Sequence, residues 1–201
     1  MEFREVVRRR RMVRHFDSRP IPEDVLARVL EVARHAPSAG FSQGFDFVVL
    51  TKPQELDWFV RTTTDPADPD PYPGRDPVPM PPCIVLPYSN KRAYLDRYSQ
   101  PDKIQFGLDK EESWPVPFWT VDTAMAMLLI LLAAVDEGLG AWYFGLTAGE
   151  EEIKHHLGVP ADNKLLGPIA IGYPSAEDRP SGSALSRRRR AFESMFHFGR
   201  W

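Results

Sequence analysis

A chain of 201 residues, 43% hydrophobic and 26% charged, is long enough to bury a substantial core within one domain and has the composition of a globular protein. Its formal net charge of −3 and pI near 6.0 argue against a general nucleic-acid binder, whose basic face dominates the balance. The single cysteine, Cys83, excludes an intrachain disulfide and a multi-cysteine metal site; with a start, Met-Glu-Phe-Arg-Glu, that carries no apolar signal region, a reducing, cytoplasmic setting is expected.

In chain order, Phe3, Val6 and Val7 fall at helical spacing and predict a short helix over residues 2–9. It leads into Arg8, Arg9, Arg10, Arg11 and Arg14, five arginines in seven positions. A second quartet, Arg187 to Arg190, lies near the other end. The two quartets hold 8 of the 25 Lys+Arg residues, and the remaining 17 face 28 acidic ones, so without the quartets the chain would stand near −11. So local a concentration suits a small anion, because two or three planar guanidinium forks satisfy a phosphate group. Met12, Val13 and Phe16 interleave the first run and set it apart from a solvated basic tail.

Asp17-Ser18-Arg19-Pro20 reads as a turn, and Pro22 with Glu23 and Asp24 opens a helix carrying Val25, Leu26, Val29, Leu30 and Ala33 on one face. That helix must stop before Pro37. A loop of small residues, 37–44, precedes a strand from Phe45 to Thr51, and Pro53 starts a helix with Leu56, Trp58, Phe59 and Val60. Residues 62–82, dense in proline, form a long excursion rather than a domain linker, so residues 1–201 are read as a single domain. A strand over Cys83–Tyr88, a short helix over Lys91–Tyr98 and a polar loop dotted with aromatics lead to Trp119–Glu137, a helix apolar on nearly every face. Such a helix must be covered all round, by a layered core or by another subunit. Its apolar run, Ala124 to Val135, is well short of the ~20 residues of a bilayer span. Gly138 and Gly140 end it ahead of a strand, Ala141–Gly145; a helix over Glu150–Leu157, a strand over Lys164–Tyr173 and an extended arm over 174–201 complete the chain.

Gly40-Phe41-Ser42-Gln43-Gly44 has the G-x-S-x-G spacing of a nucleophile elbow, but that chemistry needs strand, serine, helix, and here the order is helix, loop, strand. No dinucleotide, Walker A or H-E-x-x-H motif occurs. His155 and His156 are adjacent on one predicted helix and cannot both face one metal, so no metal site is expected; His15 is either a phosphate neighbour or a simple flank.

Four segments in order carry a resemblance: Arg10-Arg11-Met12-Val13-Arg14-His15-Phe16; Ala36-Pro37-Ser38-Ala39-Gly40-Phe41-Ser42-Gln43-Gly44-Phe45-Asp46-Phe47; Ile171-Gly172-Tyr173-Pro174; and the tail from Arg189-Arg190-Ala191-Phe192-Glu193 to Trp201. They resemble the R-R-S-x-R-x-F, A-P-S-x-x-N-x-Q-P-W-x-F and I-G-Y-P signatures and the arginine-bearing tail of the nitroreductase family of FMN-dependent flavoproteins. The resemblance implies an α+β homodimer with a central, mostly antiparallel sheet flanked by helices, an extended C-terminal arm, and FMN at the interface. Arg10, Arg11, Arg14 and the tail arginines Arg188 and Arg190 would hold the phosphate and ribityl chain, with Met12 at the position of the family's serine. Pro37, Ser38, Ala39 and Phe41 would approach from the partner, and Phe144 and Gly145 would offer backbone to the flavin ring.

The implied activity passes hydride from NADH or NADPH to FMN and electrons onward to a small planar acceptor such as a nitroaromatic or quinone, with no catalytic acid, base or nucleophile to name. Neither nucleic acid nor membrane is an expected partner. Phe41, Tyr98, Trp114, Phe118 and Trp119 are either stacking walls for that acceptor or core. The chain departs from the family pattern at Met12, at Phe41, where the family has asparagine, and at Gly44-Phe45, where it has Pro-Trp. The wording leans toward the dimethylbenzimidazole synthase-like subgroup, which fragments flavin, although Met12 replaces that subgroup's aspartate and counts against its chemistry. A flavin-storage protein is a further alternative, and an arginine-armed nucleic-acid binder stands last on net charge.

Overall fold

The computed structural model describes residues 1–64, 80–180 and 186–201. Its helices are α1 (Phe3–Arg9), α2 (Glu23–Glu31, continued by a 3-10 turn Val32–His35), α3 (Pro53–Thr63), α4 (Lys91–Tyr98), α5 (Phe118–Asp136) and α6 (Glu150–His156). The strands are β1 (Phe45–Leu50), β2 (Cys83–Asn90), β3 (Gly140–Tyr143), β4 (Asn163–Leu165) and β5 (Ile169–Gly172). They form one sheet in the order β1-β2-β5-β3, with β4 also on β2, and every strand pair is antiparallel. The expected α+β architecture is what the chain adopts.

Side chains alternate across a strand, so each strand feeds two cores. Phe47 and Val49 of β1, Cys83 and Val85 of β2, Ile169 and Ile171 of β5 and Ala141 of β3 face one side, against Ala126, Met127, Ile130 and Ala134 of α5 and Val29 of α2. Val48, Leu50, Ile84, Leu86, Tyr88, Ala170 and Trp142 face the other, against Leu56 and Phe59 of α3 and Ile153 of α6. Because β2 is covered on both faces, it is buried from Cys83 to Ser89, which explains its unbroken apolar run.

The helix α5 is long and apolar enough to cross a membrane, yet its inner side packs on the sheet and on α2. Its outer side leaves Val121, Met125 and Leu128 exposed at helical spacing.

Among the boundaries that differ from expectation, three concern the β4–β5 break, α3 and β3. The predicted strand over 164–173 is two strands, because Leu166 to Pro168 leave the ladder: Gly167 takes φ +117°, the Leu166 N–H donates to the Pro87 carbonyl at 3.0 Å, and the Pro168 carbonyl accepts from Phe144 at 3.1 Å. Pro87, itself without an N–H, sits opposite the break. The third helix runs through Thr63, into the predicted excursion over 62–82, of which residues 65–79 lie outside the described residues. The strand predicted to reach Gly145 ends at Tyr143, leaving Phe144 and Gly145 just beyond it.

Candidate functional site

The arginine-rich stretch begins within α1, whose last turn holds Arg8 and Arg9, and leaves it at Arg10, whose N–H donates to the Val6 carbonyl at 2.9 Å. From there the chain runs parallel to β3. Met12 bridges Ala141, and the Val13 N–H donates to the Ala141 carbonyl at 3.0 Å. This close approach requires a glycine at 140, since a Cβ there would lie 2.5 Å from Val13 Cγ2. Val13 is buried on one side of the sheet, while Met12 packs against the core on the other. The Arg14 guanidinium lies 5.8 Å from the centroid of the Trp142 ring.

The segment after β5 returns along the same stretch. Phe16 bridges Pro174, the Asp17 N–H donates to the Tyr173 carbonyl at 2.8 Å, and the Ser175 N–H donates to the His15 carbonyl at 3.0 Å. It ends on Asp178, whose side chain is 1% exposed. Asp178 accepts the backbone N–H groups of Arg14 at 2.9 Å and His15 at 3.0 Å and pairs with the Arg11 guanidinium. Burial alone would raise this carboxyl's pKa; the two backbone donors and Arg11 outweigh burial and hold it below the usual carboxylate value. His15 Nδ1 lies 3.7 Å from the same carboxylate.

At the small-residue loop, Gly40, Phe41 and Gln43 all have positive φ, +59°, +55° and +50°. Two non-glycine residues in the left-handed region within three positions mark a strained turn. The contacts that hold it are specific. The Ala39 N–H donates to Asp122 Oδ2 at 2.9 Å, and the Tyr94 hydroxyl donates to the same oxygen at 2.8 Å. Gln43 N–H reaches Ser38 Oγ at 3.0 Å, Arg97 Nε reaches the Gly40 carbonyl at 3.0 Å, and Asn90 N–H reaches the Gly44 carbonyl at 2.9 Å. Burial first, and Asp122 second, push the Tyr94 phenol far above its ordinary value, so it stays a donor. Phe41 projects outward, 76% exposed.

The Ser42 hydroxyl donates to the Ala39 carbonyl at 2.6 Å within this turn, which precedes a strand rather than following one, so the elbow spacing carries no elbow geometry. Of the aromatic residues considered as stacking walls, Tyr98 and Trp114 are buried against each other with ring centroids 4.8 Å apart, and Trp114 Nε1 donates to the Leu108 carbonyl at 2.8 Å. They are core. Phe118 and Trp119 flank that cluster, half-buried.

Beyond β3, Phe144 stacks on Trp142 with centroids 4.5 Å apart and spends its N–H on Pro168. Gly145 is exposed, with open space where a Cβ would stand. In the arm, Arg188 and Arg190 are exposed, and the Arg190 guanidinium donates to the Ser194 carbonyl of its own segment. Thus Arg14, Trp142 and Phe144 are neighbours, while the loop 37–44 is attached at Asp122, toward the other end of α5 from the arginine turn. From Asp122 to Asp136, which meets the Met1 amino group, the helical rise spans about 21 Å. Among the described residues no group of His, Cys, Asp or Glu side chains is placed to hold a metal ion. His155 and His156 are exposed, and His156 stacks on Trp58 with centroids 4.0 Å apart.

The model of the Nitroreductase family matches residues 7–72 and 89–173, well over half of the chain. The chain belongs to the nitroreductase family. The match takes in the arginine turn, the strained loop, β3 and Ile171 to Tyr173, but not the C-terminal arm. This nitroreductase-family chain is 28% identical over 192 residues to an NADH dehydrogenase of Thermus thermophilus, covering 86% of this chain and 87% of that one. In fold it is similar to an FMN-dependent nitroreductase of Clostridium difficile, with a TM-score of 0.66, 18% identity and 98% of both chains covered. It is also similar to a nitroreductase-like protein of Streptococcus mutans, with a TM-score of 0.72, 16% identity, and 98% of this chain and 97% of that one covered. The lean toward the flavin-fragmenting subgroup gains no support from these relatives.

Sequence reasoning missed Asp122, Tyr94, Arg97 and Asp178. One signal was available: Asp122 is the lone charge among residues 118–135 of an otherwise apolar helix, and a carboxylate there needs a polar reason. Asp178 had none, since its partners lie more than 160 positions away.

Proposed function

We propose that this nitroreductase-family chain is an FMN-dependent oxidoreductase that takes hydride from NADH or NADPH and reduces a small planar acceptor, a nitroaromatic, quinone or similar compound. The observation that carries the reading is the arginine turn, seated on β3 by Gly140 and pinned by Asp178. The donor set fits the cofactor's phosphate: Arg10, Arg11 and Arg14 place three guanidinium charges on one turn, Asp178 offsets one, and a phosphate monoester carries about −1.5 to −2. When bound, FMN supplies the redox chemistry, and the protein supplies position and electrostatics.

In this reading Arg10 and Arg14, with Arg188 and Arg190 of the arm, hold the phosphate, and Arg11 is shared with Asp178. Met12 packs into the core and contributes backbone only. With the Phe144 N–H committed to Pro168, Gly145 is the position that would offer its backbone to the ring. Pro37, Ser38, Ala39 and Phe41 complete the site from a second copy of the chain, which accounts for the two signature segments being anchored toward opposite ends of α5. The exposed Val121, Met125 and Leu128 are the apolar seam of that homodimer.

The deciding experiment is FMN reconstitution followed by anaerobic addition of NADH and NADPH in turn, then an acceptor screen. Bleaching of the flavin band by either nicotinamide and its return with nitroaromatic or quinone is the expected result. A protein that takes up no FMN sinks the reading; one that binds FMN but is bleached by neither nicotinamide is a flavin carrier or draws on another electron donor. Arg14→Ala is expected to weaken FMN retention by ~1.5–3 kcal/mol, the scale of a hydrogen bond to a charged group.

A further inference from the structure

We infer that Asp122 is the positioning residue of the strained turn Ser38–Gln43, and that its buried acceptor oxygen, rather than any residue within the turn, decides where Phe41 stands against the flavin. The second half of this rests on the flavin reading above; the first half does not. Asp122 is 2% exposed, and one oxygen, Oδ2, accepts from both the Ala39 N–H and the Tyr94 hydroxyl. That oxygen therefore ties Ala39, near the start of the turn, to α5 and to α4 at once. Downstream of this tie come three left-handed residues, of which Phe41 and Gln43 lack the freedom of glycine. Such conformations persist only where the surroundings over-determine them.

The remaining supports are weaker determinants of the turn's place. Ser38 Oγ and the Ala39 carbonyl bind Gln43 and Ser42, so they close the turn on itself without saying where it sits on the protein. Arg97, which reaches the Gly40 carbonyl, also holds Asp102 and Gln100 at the surface. Asp122 alone among these combines burial with a contact at the turn's entry. Its carboxylate is held by neutral donors, the arrangement expected of a structural acceptor whose geometry matters. An amide oxygen in the same place could accept the same two hydrogen bonds.

The test uses Asp122→Ala, Asp122→Asn and Tyr94→Phe in the full chain. In the flavin-free proteins, hydrogen exchange of the 38–43 amides is expected to rise at least tenfold in Asp122→Ala and to stay within threefold of wild type in Asp122→Asn. With FMN added, Asp122→Ala is expected to bind at least tenfold more weakly, with its visible band moved toward that of free FMN, and Asp122→Asn to recover both. Unchanged exchange, affinity and band in a folded Asp122→Ala protein would overturn the inference, as would an Asp122→Asn protein as impaired as Asp122→Ala, which would assign the effect to charge. Should Asp122→Ala not fold, Tyr94→Phe decides in the same way: faster exchange and a moved band support the assignment, and no change in either overturns it. A wild-type protein that takes up no FMN defeats the flavin reading, while the exchange measurement still judges the positioning role.

Discussion

At Phe41 neither backbone nor side chain favours the residue that stands there. The backbone sits at φ +55°, a region that asparagine tolerates and a bulky residue does not, while the residue, 76% exposed in the single chain, gains almost no burial there in return. Phe41→Asn is therefore predicted to stabilise the protein by about 1 kcal/mol, read from urea unfolding of the flavin-free form. A destabilised variant would show that the turn is not strained at this residue. Gly145 makes the complementary case. A methyl group there meets nothing within 4 Å, so Gly145→Ala should leave the flavin-free melting temperature unchanged and weaken FMN retention. Equal affinity for FMN in the two proteins would remove Gly145 from the site.

Among the elements, the segment from Tyr173 to Asp178 does more than its irregular backbone suggests, because it completes the arginine turn. Since the folded pKa of Asp178 is lowered, its contribution to stability is complete above the unfolded carboxylate value of about 3.9 and is lost as pH falls through the lower folded value. Asp178→Asn should accordingly be less stable than wild type by ~1.5–3 kcal/mol at pH 7. The gap should begin to narrow as pH falls below about 4 in denaturant titrations, and a gap that stays constant from pH 7 through the whole acid range in which the protein remains folded would exclude the carboxylate as its source. What could be read in the sequence was periodic or punctuated. The apolar face of α2, the unbroken run of β2 and the sheer apolarity of α5 each report one element's own environment. The break between β4 and β5 was written locally as Gly167-Pro168, but apolar residues on both sides concealed it. The partners of Asp122 and Asp178 were not legible, because hydrogen bonds between residues 83 or 164 apart leave no local pattern. The aromatic residues Tyr98 and Trp114 show the same limit: composition fits a wall or a core equally, and only packing decides.

For the whole molecule, α5 carries two surfaces of different purpose, an inner one that seats the sheet and an outer one left apolar at Val121, Met125 and Leu128. Leu128→Glu is predicted to shift the protein to monomer in sedimentation velocity and to lose FMN in parallel; a variant that remains dimeric would place the seam elsewhere. The zippering of residues 12–17 with 141 and 173–178 also bears on biosynthesis. The arginines leave the ribosome first, but the carboxylate that sets the backbone amides of Arg14 and His15 follows 164 positions after Arg14. At typical elongation rates that interval is on the order of ten seconds or more. Throughout it the nascent chain displays a bare cluster of positive charge with no geometry. Cofactor capture is therefore predicted to be late, and stalled chains ending before residue 178 should emerge without bound flavin.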